Sequence, residues 1–124
     1  MRRAETPVNN KNDCLVVIPA LNESATIGNV VDALGCAGFN NVLVVNDSSD
    51  DDTAEIAELA GAMVISLLER LGAWGAAQTG LRYAIRKGYN AVITLDADNQ
   101  HPVDACDDLL RELINGNANV VVGS

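Results

Sequence analysis

The sequence predicts an α/β fold: a mostly parallel sheet of about four to five strands with helices on both faces. Two observations predict it. Apolar runs such as Leu15-Val16-Val17-Ile18 and Val42-Leu43-Val44-Val45 are continuous rather than alternating, as in strands covered on both sides. Stretches with helical apolar spacing lie between such runs, and strands joined through helices pair in parallel by right-handed crossovers.

The elements follow in order. Met1 to Asp13 is polar and reads as a disordered lead-in, leaving residues 14–124 as the folded part. Leu15 to Ile18 is the first strand, stopped by Pro19. Ser24 is a candidate N-cap for a helix whose Ile27, Val30, Val31 and Leu34 share one face, with Gly35 or Gly38 as its end. Val42 to Val45 is the second strand, followed by the cap-rich loop Asn46-Asp47-Ser48-Ser49-Asp50-Asp51-Asp52. A short helix from Thr53 to Ala60 stops at Gly61, and Met63-Val64-Ile65 is a brief third strand. A helix over Ala73–Lys87 presents Ala77, Leu81, Ala84 and Ile85 on one side and ends at Gly88. Ala91 to Leu95 is the fourth strand. Asp104 to Asn115 is a helix with Cys106, Leu109, Leu110 and Leu113 inward, and Asn119 to Val122 is a last strand.

Composition narrows the function classes. At 124 residues the chain makes one domain at most, and 48% apolar content is enough for a packed core. A net charge of -9 repels a nucleic-acid backbone, and no basic stripe offsets it. The same charge repels a diphosphate, so a phosphate site here needs a metal or helix N-termini. Cys14, Cys36 and Cys106 are scattered and read as small buried hydrophobes in a reducing compartment. No apolar segment follows Arg2 and Arg3, and Cys14 to Leu21 is too short to span a bilayer, so a cytoplasmic location is expected.

In parallel sheets, ligands bind beyond the carboxyl ends of the strands, at the switch point. That rule selects Pro19–Glu23, Asn46–Ser49 and Asp96–Gln100. Asp96 and Asp98 stand two apart on extended backbone and so point to one side, with the Gln100 amide oxygen next. Three hard oxygen donors suit Mg²⁺ or Mn²⁺; the alternative is a pair of turn formers. Asp47 suits either the ring N–H of a uracil or guanine base or an N-cap. Glu23 is either a nucleotide contact or a first-turn acid facing a helix dipole. Gly72 to Gly80 is glycine-rich but matches neither the dinucleotide fingerprint nor the Walker loop. Its helix N-terminus can face phosphates, and Trp74 reads as a lid or a packing residue. His101, beside Pro102, reads as structural.

Together, Pro-x-x-Asn-Glu after the first strand, the acid-and-serine loop after the second, and Asp-x-Asp-x-Gln-His-Pro after the fourth resemble glycosyltransferase family 2, within it the dolichyl- or polyprenyl-phosphate mannose synthase-like branch. The resemblance runs from about Cys14 to Ser124. It implies the nucleotide-sugar-binding, Rossmann-like half of a GT-A domain, an inverting mechanism, and a GDP- or UDP-linked sugar donor. It also implies a Mg²⁺ or Mn²⁺ ion and a lipid-phosphate acceptor at a membrane face. By that resemblance Pro19, Leu21, Glu23, Val45 and Asp47 line the nucleotide pocket, Asp96 and Ala97 lie near ribose and diphosphate, and Asp96, Asp98 and Gln100 hold the metal. The acceptor half and the catalytic base are expected beyond residue 124, and the sheet edge so exposed is expected to pair with a second copy.

Departures from the family pattern stand beside this. Its second loop usually reads Asp-Asp-Gly-Ser-x-Asp-Gly-Thr, so Ser48 and Asp52 replace glycines and would bear any left-handed backbone there. Ala73-Trp74 stands where relatives often carry Lys. Two other readings compete. A non-catalytic assembly module would account for the lost glycines. A haloacid dehalogenase-type phosphohydrolase also uses Asp-x-Asp, but on its first strand and with Thr or Val where Gln100 stands.

Overall fold

The structure, a computed structural model, describes residues 10–115 and the backbone of Val120–Val122. Strands β1 (Cys14–Ala20), β2 (Val42–Asn46), β3 (Met63–Ser66), β4 (Ala91–Thr94) and β5 (Val120–Val122) form one sheet in the order β3-β2-β1-β4-β5. Every neighbouring pair is parallel. The helices are α1 (Ile27–Cys36), α2 (Thr53–Leu59), α3 (Gly72–Lys87) and α4 (Pro102–Ile114).

Alternation along β1 divides the layers. Cys14, Val16, Ile18 and Ala20 pack with Val30 and Leu34 of α1, Ala57 of α2, and Cys106, Leu110 and Leu113 of α4. Leu15 and Val17, with Leu43, Val45 and Val92, face α3. Helices thus cover both faces, three on one and α3 on the other. The first three crossovers share one hand. The last steps across the sheet in the direction taken through α3, yet α4 lies on the face of α1. That connection therefore has the opposite hand, a departure from the uniform crossovers expected, because the apolar stripe of α4 is buried beside α1.

Helix α3 turns inward a side that overlaps the one expected, with Ala84 buried and Leu81 packed on the core, but shifted away from Ile85. Its buried residues are Ala76, Gly80 and Ala84, while Ile85 is 73% exposed. A Cβ on Gly80 would lie 2.3 Å from Val17 Cγ1, so the missing side chain is what lets the helix sit against the sheet. Gly88, at φ 84°, ends α3 as expected.

Several boundaries move. Ser24 lies ahead of α1, whose N-cap position is Thr26. Helix α4 begins at Pro102, since proline suits the first turn, where its missing N–H has no intrahelical partner. Of the expected lead-in, residues 1–9 lie outside the described residues, as does Asn119. Residues 10–13 are ordered: Lys11–Asp13 is a 3-10 turn closed by a capping box between Asn10 and Asp13. Lys11 anchors it, donating to Ala37 O and lying 4.9 Å from the centre of the Phe39 ring.

Candidate functional site

The crevice opens where β1 and β4 part. Leu95 N donates to Val17 O at 3.0 Å, the end of that ladder. On the other side the pairing runs on to Ala20, with Asp47 N donating to Ala20 O at 2.8 Å. Successive residues of β1 bond to opposite neighbours, so a donor at position 19 would face β4 just where β4 has left. Proline removes that donor without orphaning a partner, which is why Pro19 continues the strand instead of stopping it. All three segments selected from the sequence lie at this end of the sheet.

The loop after β2 organises two others. Toward β1, Asn22 N donates to Ser49 Oγ (2.9 Å), Glu23 N to Thr53 Oγ1 (2.9 Å) and Ser24 N to Asp51 Oδ2 (3.2 Å). In return, Asp50 N donates to Asn22 Oδ1 at 2.7 Å. Toward α3, Arg70 Nη2 meets Asp50 Oδ2 at 2.6 Å and its Nε donates to Ser48 O at 3.4 Å. Ser48 sits at φ 62°, the left-handed region expected where relatives carry glycine, whereas Asp52 is at φ -84° and bears no such strain. Hydrogen bonds from Thr53 and Ser24 hold the Asp51 carboxyl down at about 2.

Asp47 is 3% exposed and accepts from two main-chain amides: Leu71 N to Oδ1 at 2.7 Å and Gly72 N to Oδ2 at 3.0 Å. It therefore caps the N-terminus of α3 from a distant strand, which has no side-chain cap of its own. Pro19, Ala20, Leu21, Asp47, Gly72 and Ala73 line a cleft of about 150 Å³ against that helix end. Val45 is fully buried beneath, in the layer under α3. Trp74, 67% exposed, stands on the first turn of α3 facing solvent.

Beyond β4, Asp96 and Asp98 are exposed and flank Ala97, which is buried on the α1 side. Thr26 Oγ1 donates to Ala97 O at 3.0 Å, fixing the loop to the start of α1. Asp98 and Gln100 border a second cavity of about 380 Å³, with Thr26 and Asn29 of the α1 end on its far side. The expected residues are thus divided: Pro19, Leu21 and Asp47 line one cleft, Asp98 and Gln100 the other. Glu23 lies near both acids, its carboxyl raised by partial burial and then by Asp98, Asp51 and Asp96. Among the described residues, no three His, Cys, Asp or Glu side chains are gathered as a closed metal cage. Asp96 and Asp98 stand on a turn closed by Asn99 N to Asp96 O at 3.2 Å, not on the extended backbone expected; as exposed carboxylates they still suit a hard divalent cation that keeps waters and takes substrate phosphates as its remaining ligands.

His101 is structural at its main chain, which precedes α4: its N–H donates to Asn99 Oδ1 at 2.8 Å and its carbonyl accepts from Ala105 N at 3.0 Å. Cys14 and Cys106 are buried thiols, both pushed up to about 12 chiefly by that burial. Sequence reasoning missed Thr53, Asp51 and Arg70 as organisers. The Asp-x-Thr spacing before a helix was the visible signal, but its long-range partners were not. It also missed Thr94, whose Oγ1 is buried without a partner one residue before Leu95.

Three comparisons bear on this site. The family model described as Glycosyl transferase family 2 matches residues 15–124. The chain is 32% identical over 126 residues to the uncharacterized protein MJ1222 of Methanocaldococcus jannaschii, covering 100% of this chain and 52% of that protein. It is also 32% identical to the UDP-N-acetylglucosamine--dolichyl-phosphate N-acetylglucosaminyltransferase of Methanococcus voltae, covering 88% and 50%. Among solved structures it is similar to glucosyl-3-phosphoglycerate synthase from Mycobacterium tuberculosis in complex with Mn²⁺ and UDP-glucose. That match has TM-score 0.67 and 31% identity, covering 83% of this chain and 39% of that one. The chain spans about half the length of the curated relatives it matches.

Proposed function

The chain belongs to glycosyltransferase family 2, and from that premise we propose that it binds a nucleoside-diphosphate sugar across the crevice between β1, β2 and α3. The observation that carries this reading is the capped N-terminus of α3 facing the Pro19–Leu21–Asp47 cleft, with Asp96 and Asp98 exposed on the adjoining strand end. The apolar edges of Pro19 and Leu21 flank the base. Asp47, buried and doubly bonded, holds the α3 end in place and offers its remaining lone pairs to a base N–H. Asp47 already caps the α3 end, so a cation beside Asp96 and Asp98 is what would offset diphosphate charge in this acidic chain.

Asp96 and Asp98, with Gln100, are the residues that would hold Mg²⁺ or Mn²⁺. A bound cation supplies charge neutralisation to the departing diphosphate. Glu23, raised first by partial burial and then by Asp98, Asp51 and Asp96, adds to an acidic surround that suits positive charge. The dolichyl-phosphate relative supports a lipid-phosphate acceptor, and with it work at a membrane face. No helix among the described residues is long and apolar enough to cross one. A second copy would pair along the β5 edge of the sheet, the edge expected beside the acceptor half, which light scattering reads directly.

Titration calorimetry with UDP- and GDP-sugars, with and without Mn²⁺, tests the donor site. Binding that requires the metal and favours one base is the expected result; no heat with any donor in either condition overturns the reading.

A further inference from the structure

Thr53 begins α2 and is fully buried, yet its side chain serves none of the helix's own carbonyls. Its hydroxyl accepts from Glu23 N at 2.9 Å and donates to Asp51 Oδ1. A hydroxyl carries one hydrogen, and here the carboxylate takes it, so the lone pairs are left for the Glu23 amide. The direction of the chain is therefore fixed: Glu23 N–H to Thr53 O–H to the Asp51 carboxylate. An anionic end strengthens each preceding link. Asp51 also accepts from Ser24 N at 3.2 Å and Thr53 N at 3.0 Å.

A local capping role accounts for the Thr53 N bond, which spans two residues. It does not account for the bonds to Ser24 and Glu23, which reach back 27 and 30 residues to the rim of the crevice. We propose that Thr53 and Asp51 are positioning residues for Glu23, fixing its main chain at the rim of the crevice and so setting where its carboxylate enters the donor site. The sites themselves touch no ligand; they act through residue 23. This inference rests on the proposed donor site, whose cation-facing wall it extends.

The test compares Thr53→Val, Thr53→Ser and Asp51→Asn in the full chain. Two readouts are followed: amide exchange of Glu23 and Ser24 without ligand, and Mn²⁺ affinity from water-proton relaxation, with a UDP-sugar as a second arm. In Thr53→Val, Glu23 exchange is expected to rise and Mn²⁺ affinity to fall about threefold, the scale of loosening one nearby negative charge that is not itself a ligand. Thr53→Ser restores both, which a general loss of packing would not. Asp51→Asn, which keeps the side-chain shape, gives the same pattern if Thr53→Val does not fold. Unchanged Glu23 exchange, or a Thr53→Ser variant as impaired as Thr53→Val, overturns the positioning role. Failure of the parent chain to bind Mn²⁺ or any donor instead overturns the donor-site reading, while the exchange data still decide whether the relay holds Glu23.

Discussion

On the β2 side of the crevice, residues 46–53 hold two other loops through bonds reaching 20 to 30 residues along the chain, and the central carboxylate, Asp47, is 3% exposed. On the β4 side, Asp96 and Asp98 are exposed; Thr26 ties their loop to α1, and Asn99 N bonds back to Asp96 O within it. One wall is finished before any ligand arrives; the other displays charge. Acids are spent on architecture in the first and left open for chemistry in the second. The same residue type therefore carries different consequences on the two walls.

The sharpest way to break that contrast is to remove one acid from each wall. Asp47→Ala leaves the Leu71 and Gly72 amides without their acceptor in a buried place, and is expected to cost about 3 kcal/mol. Asp96→Ala is expected to change stability by no more than about 0.5 kcal/mol while abolishing metal-dependent donor binding. Urea unfolding and calorimetry on both variants read the two quantities; equal stability losses would erase the distinction. A smaller effect sharpens it. Ser48→Gly relieves left-handed backbone in the finished wall and is expected to raise stability by about 1 kcal/mol, seen as a higher urea midpoint.

The smallest effect is confined to acid. Asp51 has a folded value of about 2 against an ordinary 3.8, so its contribution is complete above 3.8 and is lost as pH falls toward 2. Protection of the Ser24 amide, taken relative to its intrinsic exchange rate at each pH, is expected to fall over that window in the parent chain. In Asp51→Asn that protection should already be low at neutral pH and show no such transition.

The sheet was legible because buried parallel strands are written as unbroken apolar runs, and five segments of that kind became its five strands. The inward side of α3 was legible in part. Ala84 and Leu81 do face the core, but periodicity favours large residues and Ile85 drew the stripe past Ala76 and Gly80. Those two seat the helix by their smallness. Asp47 could be read as a cap or as a base contact; what stayed invisible was that the helix it caps begins 25 residues later. Local pattern shows which residues want a partner. Only the fold shows which partner is near.

Gly80 has a mechanical consequence for the crevice mouth. The first turn of α3, Gly72 and Ala73, is one jaw of the donor cleft, while Gly80 rests on Val17 two turns further along, about 12 Å away at 1.5 Å per residue. A single added carbon at Gly80 would meet Val17 and push the helix, with the jaw it carries, off the sheet. The aperture of the cleft is in this sense gauged from deep inside the sheet–helix contact, at a position no ligand ever reaches.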